Sequence, residues 1–265
     1  MSQAMFTHRI SKGSRYNQIY VPAGNESQFE VGDLVEVRLL EKKNRLYVHK
    51  ASLTDFKRKL ISEIFRFLAK NSDIEQIFVF GSFLYGKIGY NDIDIIIMGK
   101  DDSEEFDNKI TDNLTEEFNL KFHVISVKEE GFLKELKTSP LMRSMMSHFV
   151  SNEKFSVPRE RELDKNHILY LLMGPEDILK TDFEKGRIYY DQIRKLDIIE
   201  RFLHNDEEDM LEINKNIENE LGTKMLERLK KDEFIGKKDI DFLREIINKR
   251  LNKIKKEVKW ERKKK

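Results

Sequence analysis

The chain has 265 residues, and its 49 Lys and Arg nearly balance its 48 Asp and Glu, which gives a formal net charge of +1. This length exceeds the usual size of one domain, so two or three domains are expected. A nearly neutral chain has no overall field that attracts nucleic acid or a membrane, and the absence of cysteine excludes disulfides, thiolate catalysis and cysteine-based metal sites. Because no apolar run reaches the length of a membrane span, we expect a cytoplasmic protein without a membrane partner.

Short alternating apolar runs, separated by turn residues, fill the first part of the chain. They lie at residues 6–10, 18–22 and 34–40, and a last run at 46–49 precedes the first helical pattern. Such alternation predicts β-hairpins, and so few short strands bury little surface alone. We therefore predict a small β domain over residues 1–51.

This segment resembles the AbrB-like swapped-hairpin family in its runs 9–13, 19–22 and 31–37. The resemblance implies an intertwined homodimer and DNA contacts through basic residues near the first hairpin, for which the candidates are Arg9, Lys12 and Arg15. The positive excess is modest, with eight Lys and Arg against five acids up to Leu53. Since a phosphate-binding surface normally carries more cations, dimerisation or substrate docking is favoured over DNA readout, and both stay open.

A helical period replaces the alternation from Ser52 onwards. Apolar residues recur every three or four positions up to Leu68, and Ser52 or Thr54 is able to cap this helix. Strands are then predicted at 77–80, 92–98 and 122–127, with a helix between the last two and another beginning at Glu129. This order predicts a small mixed sheet with flanking helices over residues 52–137.

The loop between the first two of these strands carries Gly81, Ser82, Gly86 and Lys87. The two glycines allow a tight turn and close backbone approach. Amides at a helix start after Ser82 would face an anion such as a phosphate. Lys87 is a candidate for contact with triphosphate charge, although an exposed lysine is its ordinary interpretation.

Two carboxylates stand at the head of the strand that follows this loop. Asp92 and Asp94 are two residues apart, so on a strand they share one face, while Ile93, Ile95 and Ile97 point into the core. Paired oxygen ligands suit a divalent cation, above all Mg²⁺ that carries substrate phosphates.

Gly-Ser, then Gly, then Asp-x-Asp at this spacing resembles the signature of the nucleotidyltransferase superfamily, the DNA polymerase β-like fold, over roughly residues 52–127. The resemblance implies transfer of a nucleoside monophosphate from a nucleoside triphosphate to an acceptor hydroxyl, with release of pyrophosphate. It also implies that Asp92 and Asp94 hold Mg²⁺ and that the loop binds the nucleotide.

The third strand departs from that family's pattern. A third carboxylate usually projects there, whereas residues 122–127 contain no Asp or Glu and His123 occupies the expected place. An imidazole takes up protons near neutral pH but is a poor ligand for Mg²⁺. His123 is therefore a catalytic candidate, and four alternatives stay open: an ordinary strand residue, a single tightly held metal, recruitment of Glu129 or Glu130, and loss of catalysis.

The chain beyond Thr138 is predicted to be wholly helical, forming a third domain over residues 138–265. Pro140 begins a short helix that extends to Phe149, and Asp164 caps a helix that Gly174-Pro175 ends before the next begins. Apolar stripes at 188–202, 210–229 and 240–258 predict three longer helices of a bundle. The fold class is α+β, with a small β domain, a mixed sheet with flanking helices and a C-terminal helical bundle.

The C-terminal end is basic, with eleven Lys and Arg against three Glu from Arg244 to Lys265. Contact with a nucleic-acid backbone, preferably RNA, is one interpretation, for which Lys255, Lys256 and Lys259 are candidates. A solvated helix end whose cations suit the helix dipole is the other. The predicted function is nucleotidyl transfer to an acceptor that is preferably an RNA end. The alternative is a dimeric DNA-binding regulator with a weakened, nucleotide-sensing domain.

Overall fold

The computed structural model describes residues 6–21, 28–37, 45–85, 91–181 and 183–260, with the side chains of Lys259 and Trp260 left aside. The chain divides into two compact units, Met1–Lys43 and Asn44–Lys265. Within the described ranges, no helix is long and apolar enough to cross a membrane.

The first unit contains one small antiparallel hairpin, as predicted for the N-terminal segment. Strand β1, Ser11–Lys12, pairs with strand β2, Asn17–Gln18. None of the described residues of this unit is buried. Its exposed large apolar side chains are those of Ile10, Tyr16, Ile19, Tyr20, Val21, Val31, Leu34, Val35 and Val37. The likeness of this unit to the AbrB-like family stays a prediction.

The second unit is built on a five-stranded mixed sheet with the order β3-β7-β4-β5-β6. Its strands are β3, Tyr47–His49; β4, Ile74–Phe80; β5, Ile93–Gly99; β6, Phe122–Val127; and β7, Phe149–Ser151. Strands β5 and β6 are parallel, and the other neighbours are antiparallel. The predicted mixed sheet is therefore confirmed.

Two strands of this sheet differ from what the sequence predicts. The sequence pattern groups residues 46–49 with the N-terminal hairpins, whereas β3 pairs with β7. Strand β7 lies where the chain was expected to be wholly helical, after helix α4, Pro140–Met145, which ends before the predicted Phe149. A strand of three residues is too short to show a period, and β7 is held by β3 and β4, both far away in the sequence.

Helices cover both faces of the sheet. Helix α1, Asp55–Leu68, begins at Thr54, whose side chain accepts a hydrogen bond from Lys57 N, and helix α2, Glu104–Phe118, begins at Ser103. Both pack on the face that buries Ile93, Ile95 and Ile97, as predicted. The opposite face buries Phe78, Phe80, Ile96, Met98 and Phe149 with residues of helix α3, Glu129–Thr138, and of the chain that follows it.

The remaining helices share one apolar core. They are α5, Lys165–Ile178; α6, Arg187–His204; α7, Met210–Leu221; α8, Thr223–Lys230; and α9, Lys237–Trp260. The prediction that Gly174-Pro175 ends a helix is wrong, because α5 continues through both residues. A Cβ on Gly174 would lie 2.9 Å from Oε1 of Gln192 on α6.

The single helix predicted for residues 210–229 is two helices, α7 and α8. They meet at Gly222, which has φ +80° and ψ 151°. This backbone conformation is available essentially only to glycine. The apolar period continues across the break, and for that reason the sequence pattern did not reveal it.

A buried ionic cluster joins the short helix α4 to the loop before α7. Glu208 is 5% exposed and lies between two guanidinium groups, at 3.2 Å from Arg143 Nε and 3.1 Å from Arg161 Nη2. Arg143 also donates hydrogen bonds to the carbonyls of Leu136 and Pro158. Buried charges persist when they are paired and hydrogen-bonded in this way. The cluster therefore fixes the loop before α7 against the helices beside the sheet.

Candidate active site

The candidate site lies on a row of paired residues that crosses the sheet. His49 pairs with Phe149, Phe149 with Phe80, Phe80 with Asp94, and Asp94 with His123. Paired residues on neighbouring strands project to the same face. Asp94 and His123 therefore emerge together, next to the apolar side chains that fill the rest of this face.

Asp94 and His123 are in direct contact. His123 Nδ1 lies 3.3 Å from Asp94 Oδ1, and the His123 side chain is 59% exposed against 22% for that of Asp94. In the neutral imidazole whose proton is on Nδ1 and is donated to the carboxylate, Nε2 carries the lone pair. The expected place of the third carboxylate is thus filled by an imidazole that Asp94 orients.

The charge on Asp94 is unfavourable in this structure. Burial, and then the negative charge of Asp92, raise the pKa of the Asp94 carboxyl, while the hydrogen bond from His123 and its charge lower it. Two carboxylates that repel each other in a partly buried place are stabilised by a cation between them. The negative charge of Asp92 thus acts on Asp94, although β5 begins at Ile93 and Asp92 lies just before the strand on which both were predicted.

Gly81 makes room for the Asp94 carboxylate. A Cβ on this residue would lie 2.1 Å from Asp94 Oδ2, far inside contact distance, and the backbone has φ +78°. Close approach and positive φ both require glycine at this position. The turn that begins at Gly81 therefore packs directly against the Asp94 carboxylate.

The turn after Gly81 is shorter than predicted. Instead of a helix beginning at Ser82, a single 3₁₀ turn, Ser82–Leu84, is closed by hydrogen bonds from Leu84 N to Gly81 O and from Tyr85 N to Ser82 O. Ser82 is exposed and does not act as a cap. Within residues 81–85, the helix predicted to begin after Ser82 is thus a single 3₁₀ turn.

The sequence analysis missed Lys57, which lies in the first turn of α1. Its Nζ donates hydrogen bonds to the carbonyl oxygens of Phe83, at 2.5 Å, and Tyr85, at 3.0 Å. Tyr85 in turn packs edge-on against His148, with ring centroids 5.4 Å apart. The only available signal was a lysine on the apolar side of an amphipathic helix, between Leu53 and Leu60.

The remaining predicted binding residues lie in other parts of the chain. Gly86 and Lys87 lie outside the described residues, and so does the side chain of Lys259. Lys255 forms an ion pair with Glu176, with Nζ 2.6 Å from Oε1, whereas Lys256 is exposed. Arg9, Lys12 and Arg15 are exposed residues of the first unit.

Comparison with known families finds a match for the segment of the chain that holds this site. Residues 62–139 match the family model described as Polymerase beta, Nucleotidyltransferase. This segment has a nucleotidyltransferase fold, and it contains Gly81, Asp92, Asp94 and His123. Among curated proteins, no sequence matches the chain.

A nucleotidyltransferase fold implies a divalent cation, so we asked whether the side chains at this site are able to bind one. No group of three or more His, Asp and Glu side chains within the described ranges is arranged to hold a metal ion alone. Asp92 and Asp94 offer two carboxylates whose mutual repulsion a cation would relieve. Mg²⁺ is commonly bound by one or two carboxylates together with substrate phosphates and water. The residues present therefore fit Mg²⁺ that is shared with a bound nucleotide.

Proposed function

We propose that the protein transfers a nucleoside monophosphate from a nucleoside triphosphate to an acceptor hydroxyl. One observation carries the proposal: in a segment that matches a nucleotidyltransferase family, the Asp94 carboxylate packs over Gly81 and contacts His123. Asp92 and Asp94 would hold Mg²⁺, which when bound neutralises charge on the phosphates. The acceptor oxygen bonds to the α-phosphorus, the bond to the bridging oxygen breaks, and pyrophosphate leaves.

The protein's own groups position the reactants and receive a proton. The turn that begins at Gly81 receives the triphosphate, and positioning of this kind supplies much of the rate in phosphoryl transfer. In the neutral tautomer that donates Nδ1–H to Asp94, His123 Nε2 carries a lone pair, with which it accepts the proton of the acceptor hydroxyl.

The direct test is transfer of label. The protein is incubated with each α-³²P-labelled nucleoside triphosphate and Mg²⁺, in the presence of RNA, protein or DNA, and the labelled product is identified. We expect label in one acceptor and equal amounts of pyrophosphate, because each transfer releases one pyrophosphate. Absence of label with every acceptor, together with tight binding of duplex DNA, would contradict the proposal and favour a DNA-binding regulator.

We propose an RNA end as the acceptor. The support is the positive charge along α9, where Lys249 and Lys256 are exposed to solvent. Several other cations of this helix are already paired, among them Arg250 with Asp197, Glu200 and Glu220, and Lys253 with Glu200. Label in protein or in a small molecule instead of RNA would contradict RNA as the acceptor, and the proposal of nucleotidyl transfer would stand.

We propose that the N-terminal unit joins two copies of the chain. Its support is that none of the described residues of this unit is buried and that nine of them are large apolar residues exposed to solvent. Apolar side chains exposed in this number are normally covered by a partner. Light scattering should therefore give the mass of a dimer for the full chain, and a monomer at micromolar concentration would contradict this part of the proposal.

His123 is expected to act as the base. Replacement His123→Ala should lower the rate of transfer by roughly 100-fold with little effect on nucleotide affinity, because it removes the proton acceptor and no phosphate ligand. His123→Asp should recover part of the rate, since it places a carboxylate at the position where related enzymes carry one. The exposed neighbour Lys121, changed to Ala, is the control and should retain activity. An unchanged rate in His123→Ala would show that the imidazole is not the base.

A further inference from the structure

Lys57 is a nearly buried cation held by main-chain oxygens. The residue is 8% exposed, and its Nζ donates to the carbonyls of Phe83 and Tyr85. Its ammonium also lies 5.1 Å from the centroid of the Phe83 ring. Lysine is almost never buried without a specific partner, and here both hydrogen-bond partners belong to the turn that follows Gly81.

The positive charge of the Lys57 ammonium has no counter-ion among the described residues. Within the described ranges, Lys57 has no ion pair with a carboxylate, and burial alone lowers its pKa. An anion is therefore the group that such a site lacks, because a buried charge without a counter-ion is costly. The backbone carbonyls hold the ammonium but carry only partial charge.

A short chain of contacts links Lys57 to the Asp94 carboxylate. The peptide unit between Phe83 and Leu84 is fixed at both ends, since its C=O accepts from Lys57 and its N–H donates to Gly81 O at 3.1 Å. Because the peptide unit is planar and rigid, fixing both ends sets the path of the turn back to Gly81. Gly81 in turn packs directly against Asp94 Oδ2.

We propose that Lys57 is a positioning residue for polyphosphate binding, which holds the turn of residues 81–85 in its receptive shape and adds positive charge to it. This proposal rests on the proposed function, because it deepens the role of the same turn. Lys57 acts through the carbonyls of Phe83 and Tyr85 and through its charge, without contact with the reacting atoms. Its ligand class is the triphosphate chain, independent of the base attached to it.

The test measures binding of inorganic tripolyphosphate with Mg²⁺ by calorimetry, using the full chain and no acceptor. Lys57→Met should weaken binding by about tenfold or more, because it removes charge-assisted hydrogen bonds and a cation. Lys57→Arg should return the affinity to within about threefold of the unchanged protein, since a guanidinium is charged and offers donors to both carbonyls. Lys59→Met is the matched control, because Lys59 is exposed on the same helix, and its affinity should stay within about twofold.

Hydrogen exchange distinguishes a local role from general destabilisation. In Lys57→Met, amides of residues 81–85 should exchange faster while those of β4 and β5 stay unchanged. In the unaltered protein, tripolyphosphate should slow exchange in residues 81–85, a measurement that remains decisive if Lys57→Met does not fold. Absence of that protection would overturn the proposal, and so would equal faster exchange throughout the sheet of Lys57→Met.

Failure of this proposal is separable from failure of the proposed function. If the unaltered protein and Lys57→Met bind tripolyphosphate equally well, Lys57 has no positioning role and the nucleotidyltransferase proposal stands. If Lys57→Arg binds tripolyphosphate as weakly as Lys57→Met, the positive charge and its hydrogen bonds do not determine the affinity. That result also overturns the positioning role of Lys57. If the unaltered protein binds no tripolyphosphate, both proposals fail.

Discussion

Replacement of Asp94 by Asn should lower nucleotidyl transfer about 1,000-fold, because it removes one of two carboxylates that would hold Mg²⁺ and also weakens the acceptor for His123 Nδ1–H. Asp92→Asn should have an effect of similar size. The measurement is the initial rate of label transfer at saturating nucleotide. Asp112→Asn, an exposed carboxylate on α2, is the control and should leave the rate unchanged. Full activity in both Asp92→Asn and Asp94→Asn would contradict the proposal that these carboxylates form the active site.

The same replacement is expected to preserve or raise stability, in contrast to its effect on activity. The pKa of Asp94 is raised in the folded protein, by burial first and by Asp92 second. A carboxyl with a raised pKa binds protons more readily in the folded state, so its charge lowers the free energy of unfolding above that pKa. This cost is relieved as the pH falls through the raised pKa towards the unfolded value.

Denaturant unfolding without metal or nucleotide therefore gives a second readout. At pH 7, Asp94→Asn should unfold at the same or a higher denaturant concentration than the unaltered protein. The difference should shrink as the pH is lowered through the titration of Asp94. A clear loss of stability at pH 7 would show that Asp94 is a structural carboxylate and not a group kept charged for binding.

The second large effect is expected at Gly81. Gly81→Ala should reduce the free energy of unfolding by about 2 kcal/mol or more, because its backbone has φ +78° and ψ −162°, a conformation that costs a residue with a side chain roughly 1–3 kcal/mol. The added Cβ must also displace the Asp94 carboxylate, which lies 2.1 Å from its ideal position. Transfer should fall about 100-fold, because a displacement of about 1 Å in a catalytic group has effects of that size.

Gly222 provides a matched control for the backbone cost. It has a similar conformation, with φ +80° and ψ 151°, but no atom lies within 4 Å of the position of an added Cβ. Gly222→Ala should therefore lose stability by a comparable backbone cost and keep full activity. If both glycine variants lose activity equally, the close contact between Gly81 and Asp94 is not what supports the reaction.

The parts of the site that were predictable are those that lie close together in the sequence. The spacing of Asp92 and Asp94 predicted two carboxylates on one face of a strand, whereas β5 begins at Ile93 and carries only Asp94. The place of His123 was implied by the resemblance to the nucleotidyltransferase superfamily, and its pairing with Asp94 is seen in the structure. Long amphipathic helices were equally visible, as α1, α2, α6 and α9 show.

The parts that were not predictable depend on contacts distant in sequence. Lys57 reaches residues 26 and 28 positions away through two main-chain carbonyls, which carry no side-chain signal. The sequence also gave no sign of β7, because its three residues are held by strands from two other regions. Local rules failed at Gly174-Pro175 as well, because α5 continues through both residues and buries Pro175.

The position of β3 at the outer side of the sheet has a consequence for shortened versions of the protein. Residues Tyr47–His49 precede α1 yet pair with β7, which leads through Phe80 to Asp94. A protein truncated to begin at Ser52 would leave the main-chain groups of β7 unpaired at a sheet edge, and such edges invite aggregation. The smallest active fragment should therefore retain β3, even though it lies before the segment that matches the nucleotidyltransferase family.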